Sequence, residues 1–141
     1  MMSAQQLLSA VSGAANRYGK FKLLFDQFHV DAEEFLGKLQ EHPIQGLTFR
    51  SQPERNTVTV EAFGKEVRFK LRMISTTKAE VDCVVVEVGS ENETALGPFT
   101  FNSQGATSLK DDRGDDLEMA DQRSAAYIVI HYLHEALTME A

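Results

Sequence analysis

The sequence predicts a single α+β domain over residues 1–141. Three observations predict it. Up to Pro43, apolar residues recur at three-and-four spacing; from Leu47 they alternate or form β-branched runs; from Leu117 a long apolar segment closes the chain. A four- to five-stranded antiparallel sheet is expected, with N-terminal helices and a long buried C-terminal helix packed on its apolar face. At 43% hydrophobic and 25% charged residues, the composition suits a core built without metal or disulfide staples. No repeat and no long linker divides the chain.

The helical part reads as two or three pieces. Leu7, Leu8, Val11, Ala14, Ala15 and Tyr18 share one helical face, and Gly19 is a plausible stop. Phe21, Leu24, Phe25 and Phe28 form a second, short stripe. Asp31 with Glu34 makes a capping-box pattern, Val30 and Phe35 its hydrophobic staple, and Pro43 the end of a third piece.

A first strand is expected at Leu47–Ser51, ahead of a turn at Pro53. The segment TVTVEAFGKEVRFKLR (Thr57–Arg72) reads as a hairpin with Gly64-Lys65 at its tip. Val60 then faces Phe69 on the apolar side, and Glu61 faces Arg68 on the polar side. The polar side carries a basic row, Arg68, Lys70 and Arg72. Ala79–Gly89 follows as a strand with valines on both faces, hence central or covered by another element or chain. Phe99 and Phe101 point inward from a second hairpin turning at Ser103–Gly105. The acidic loop KDDRGDD precedes a helix expected from Leu117 to Thr138, capped by Asp115 with Glu118.

Charge is uneven along the chain. Seven basic and three acidic residues give +4 over residues 50–78, whereas three basic and thirteen acidic residues give −10 over residues 79–141. The net charge of −7 argues against nucleic acid as a partner. No apolar run reaches the roughly 20 residues of a membrane span, and the first twenty residues lack the pattern of a secretion signal, so a cytoplasmic location is expected.

No catalytic constellation emerges: there is no G-x-S-x-G elbow, no P-loop and no G-x-G-x-x-G. The single cysteine, Cys83, sits in a strand-like apolar run and reads as a buried core residue. His131, His134 and Glu135 lie at adjacent helical positions but match neither zinc-protease order, so neither a metal nor any other cofactor is expected. The leading functional expectation is a non-catalytic protein that binds another, basic protein, of the immunity, antitoxin or secretion-chaperone type. Its contacts would come from Asp111, Asp112, Asp115 and Asp116 with Glu91 and Glu93. The alternative is a small anionic ligand, bound as a carrier or a substrate by Arg68, Lys70 and Arg72, and supported if that row lines a concave, apolar-walled cleft. Nucleic-acid binding by the same hairpin is a third reading, and homodimerisation is compatible with all three.

Overall fold

The computed structural model describes residues 2–39 and 43–139. Among the described residues it is an α+β fold of two α-helices and eight strands, more strands than expected. A single helix α1 (Ala4–Gly37) leads into β1 (Thr48–Gln52), a 3-10 turn (Pro53–Arg55), β2 (Thr57–Ala62), β3 (Lys65–Met73) and β4 (Lys78–Glu87). The short β5 (Thr94–Ala95), then β6 (Phe99–Asn102), β7 (Ala106–Lys110) and β8 (Asp116–Glu118) precede helix α2 (Gln122–Thr138). All pairings are antiparallel, in the order β1-β2-β3-β4-β6-β7-β8, with β5 also on β4. β4 is central, as its two-sided valines imply.

The N-terminal region is one helix, not two or three. Its 34 residues span about 51 Å. The capping box lies at Ser3 and Gln6, where each side chain bonds the other's backbone N–H. Asp31 is no N-cap: it is buried in mid-helix, and its carboxylate accepts a 2.7 Å bond from the Gln27 amide one turn earlier. Gly19 is also helical, and α1 ends at Gly37, ahead of Pro43.

Only the second half of α1 joins the core. Phe28 is fully buried, with ring centroids 6.2 Å from Phe25, 5.6 Å from Phe69 and 6.4 Å from Phe99. Tyr132 of α2 stands 5.8 Å from Phe69 and 6.0 Å from Phe99. This aromatic set binds both helices to one face of the sheet; such pairs add roughly 0.5–1.5 kcal/mol each beyond area burial. The first half of α1 departs from the body, contrary to the expectation that the N-terminal helices cover the sheet. Its last anchors are Arg17, which donates to the Thr76 carbonyl at 3.3 Å, and Tyr18, whose hydroxyl takes the Asn56 amide.

The hairpin forms with its faces as expected but in another register. Phe63-Gly64, not Gly64-Lys65, makes the turn, with φ of 56° and 78°. Both central residues are left-handed, as a type I′ turn requires. Thr59 therefore faces Arg68, and Glu61 faces Glu66. The expected Glu61–Arg68 pair is absent, because the slip is two residues. An even slip keeps Val58, Val60, Val67 and Phe69 in the core, so the alternation could not reveal it.

α2 starts at Gln122, later than expected. Asp121 is its N-cap and accepts from the Ser124 N–H at 2.9 Å, while Asp116–Glu118 is a strand beside β7. At the other end of α2, the Lys65 ammonium donates to the Ala136 carbonyl at 2.7 Å, satisfying an orphan helix-end acceptor.

Candidate functional site

The basic row stands on the sheet face opposite the helices, and the ladder sets what lies beside it. Across β1 to β4 the outward residues run Arg50–Thr59–Arg68–Val84 in one row and Gln52–Thr57–Lys70–Asp82 in the next; Arg72 pairs with Glu80. Nearly every cation has a carboxylate. Arg68 donates to Glu66 and Glu93, each at 3.2 Å, and Lys70 donates to Glu93 at 2.5 Å. Arg72 donates twice to Glu80, at 3.0 and 2.7 Å. The hydrogen bond from Lys70 holds the Glu93 carboxyl below its usual range, with Arg68 adding to the effect. Desolvation pushes Asp82 up, reinforced by the neighbouring charge of Glu80.

A depression of about 480 Å³ opens over this face, bordered by Arg50, Arg55, Arg68 and Lys70, with Thr57 and Thr59 on its floor. It is concave, but its walls are polar, not apolar. Among the described residues, Arg55 is the one cation of the four without a carboxylate within 4.0 Å. The row therefore acts first as an internal fastener. Through Glu93 it ties the loop before β5 to β3, two features far apart in sequence.

Glu93 thus belongs to the basic row rather than to the acidic turn with which sequence reasoning grouped it. The acidic turn itself is built locally. Asp111 accepts from the backbone N–H of Arg113 and of Asp115, each at 2.9 Å, and Gly114 takes φ of 83°. Lys110 and Asp116 close the mouth of the turn at 2.6 Å, which raises the Lys110 pKa. Asp111, Asp112, Asp115, Asp116 and Asp121 rim an open cleft of about 440 Å³, where Tyr127 is 40% exposed. Glu91 does not border that cleft.

The histidines of α2 both face outward. His131 meets Glu135 at 3.1 Å and sets its ring edge-on to Tyr132, and His134 is exposed. Among the described residues no group of three potential ligands is placed to hold a metal. Cys83 is buried, and its burial pushes the thiol pKa well up, which removes thiolate reactivity.

The surface that sequence reasoning missed is the free half of α1. Leu7 is 50% exposed, Leu8 68% and Val11 66%. With Ala14 and Ala15 they form an apolar stripe about 12 Å long that runs toward the half-buried Tyr18, where the body begins. The stripe was legible; its lack of a mate was not, because periodicity reports a buried face without saying what buries it. One signal was available in the charges: residues 1–25 hold Arg17, Lys20 and Lys22 and no acid, in a chain of net charge −7.

Comparison with protein-family models, with curated proteins and with solved structures finds no match to this chain. No helix among the described residues is long and apolar enough to cross a membrane.

Proposed function

We propose that this protein works by binding other proteins, as a non-catalytic module of the immunity, antitoxin or secretion-chaperone type, and that the free half of α1 is its docking element. One observation carries this reading: Leu7, Leu8 and Val11 stand at least half exposed in line on a helix that is anchored only from Arg17 onward. An apolar stripe of this kind is ordinarily covered, and a helix laid along it is the occupant that matches its length and spacing. Scattered single hydrophobes need no explanation, but a stripe at i, i+1, i+4 does.

The test compares capture by the full chain and by Leu8→Glu/Val11→Glu. Both side chains are exposed, so the fold should survive, which the thermal midpoint would verify. Loss of bound protein with an unchanged midpoint supports the reading. Equal capture by both overturns it.

The acidic cleft favours a second contact, with a basic partner. Five aspartates outnumber Arg113 and Arg123 around the partly exposed Tyr127, an aromatic anchor inside a net-acidic rim. Charge there would act chiefly on the association rate. Asp112→Lys/Asp115→Lys should slow association and flatten its dependence on salt; unchanged kinetics would remove this surface from the account.

The anion-binding alternative loses support, since Arg68, Lys70 and Arg72 already hold Glu66, Glu93 and Glu80. A ligand would have to displace those carboxylates first.

A further inference from the structure

We propose that the cleft over β1, β2 and β3 is a binding site for a phosphate dianion, carried free or at the end of a small polar molecule, and that the Glu93 carboxylate competes with it for Arg68 and Lys70. The site lies apart from α1 and from the acidic cleft, so it stands independently of the protein-binding reading.

The ladder builds a seat. Thr59 of β2 lies between Arg50 of β1 and Arg68 of β3, and Thr57 pairs with Lys70. At about 4.8 Å per strand, the backbones of Arg50 and Arg68 stand roughly 10 Å apart, so their long side chains can close on one ion from both sides. Arg55 borders the same cleft from the 3-10 turn. That turn is tied to the floor, because the Thr57 hydroxyl donates to the Arg55 carbonyl at 2.9 Å. Thr59 is 6% exposed and lines the cleft, and no described residue bonds its hydroxyl. A hydroxyl buried to this degree ordinarily has a partner, and here the cation-lined cleft lies above it.

Charge selects the ligand. Arg50, Arg55, Arg68 and Lys70 bring four positive charges; among the described residues the carboxylates within 4.0 Å of them, Glu61, Glu66 and Glu93, return three. Glu61 and Glu66 are fixed on strands, and Glu66 meets Arg50 at 2.9 Å and Arg68 at 3.2 Å, which orients both guanidinium groups. Glu93 comes from a loop whose residues from Val88 onward are all exposed. Rotation of that one side chain leaves the cleft at +2, the charge that a phosphate dianion neutralises. Only this carboxylate has to move, since Arg72 and Glu80 do not border the cleft.

A ligand with a single carboxylate gains nothing over Glu93, which is tethered beside its cations and acts at high effective concentration. A phosphate brings twice the charge, accepts from arginine in forked geometry, and offers oxygens to Arg55, which has no carboxylate of its own. The volume of about 480 Å³ falls within the range of small-molecule clefts, roughly 300–1,000 Å³. Among the described residues no aromatic side chain lines it, so nothing is placed to stack a nucleobase.

Calorimetric titration of the full chain tests it, at about pH 8, where a phosphate group carries close to two charges, and with ionic strength held by chloride. The probes are inorganic phosphate and glycerol 3-phosphate. The expected result is saturable one-to-one binding of at least one of them at concentrations up to about 10 mM. Arg55→Gln, at an exposed turn position, should weaken it about tenfold with the thermal midpoint unchanged. Glu93→Gln should tighten it several-fold, whereas Glu91→Gln, the same change of charge on the same loop, should not. Affinity for inorganic phosphate that equals or exceeds that for glycerol 3-phosphate assigns the free ion; tighter binding of the latter assigns a phosphorylated small molecule. No saturable binding of either probe, unchanged affinity in Arg55→Gln, or equal tightening by the two glutamate variants would each overturn the proposal.

Discussion

Glu61 and Glu66 face each other directly across the β2–β3 ladder, and Arg50 of β1 reaches both, at 3.8 and 2.9 Å. Like charges opposed on neighbouring strands destabilise a sheet, so the edge strand supplies what the hairpin lacks. Arg50→Ala should cost about 0.5–1 kcal/mol, the upper range for exposed pairs, because it also leaves the two glutamates facing each other. Adding Glu61→Gln should restore part of the loss. Urea unfolding of the single and double variants measures both steps, and a loss unchanged by Glu61→Gln would mean that Arg50 acts through packing alone.

Glu93 gives a pH dependence of known sign. Its folded pKa is lowered, chiefly by the hydrogen bond from Lys70. Its contribution is therefore present above the unfolded value, near 4.3 for a free glutamate, and is lost as pH falls through the lower folded value. Stability measured downward from about pH 5 should fall less steeply in Glu93→Gln than in the wild type. Identical slopes would show that the loop before β5 is held by other contacts.

Gly19 tests the continuity of α1. A methyl group added there meets no atom within 4 Å, and the residue is helical. Gly19→Ala should stabilise the fold by about 0.5–1 kcal/mol. A glycine ending a helix in the left-handed region would respond in the opposite direction, so the sign of the change separates one helix from two.

Phe63 occupies a left-handed turn position at φ 56° and is 62% exposed. Asparagine tolerates that conformation better, and Asn-Gly is the preferred pair for this turn. Phe63→Asn should raise stability by a few tenths to about 1 kcal/mol. A fall in the unfolding midpoint would reveal an apolar contact made by the ring.

Much of the architecture was legible because it depends on period. The alternation of Val58 to Leu71 fixed two strands and their faces, and Phe99 and Phe101 fixed a third. The register was not legible, because a two-residue slip preserves alternation, and a phenylalanine in a left-handed turn is the choice that local sterics argue against. Asp31 and Glu34 imitate a helix start, yet Phe25, Phe28, Ala32 and Leu36 continue one buried stripe through them, and that packing outweighs the local pattern. The three residues of β8 are too few to show any period. At the candidate sites, the acidic turn was readable as a run of aspartates. The partners of the basic row were not, since Glu93 lies 23 residues beyond Lys70 and meets it only through the fold of β4.

The unbroken course of α1 has a consequence for evolution and engineering alike. The azimuth at which Leu8 and Val11 point is set by the same screw that seats Phe21, Phe25 and Phe28. One residue inserted ahead of Arg17 would swing the stripe through about 100° and advance it about 1.5 Å, while every core contact stayed in place. The aim of this surface is therefore stored as a residue count, and a length change could redirect it without any cost in folding.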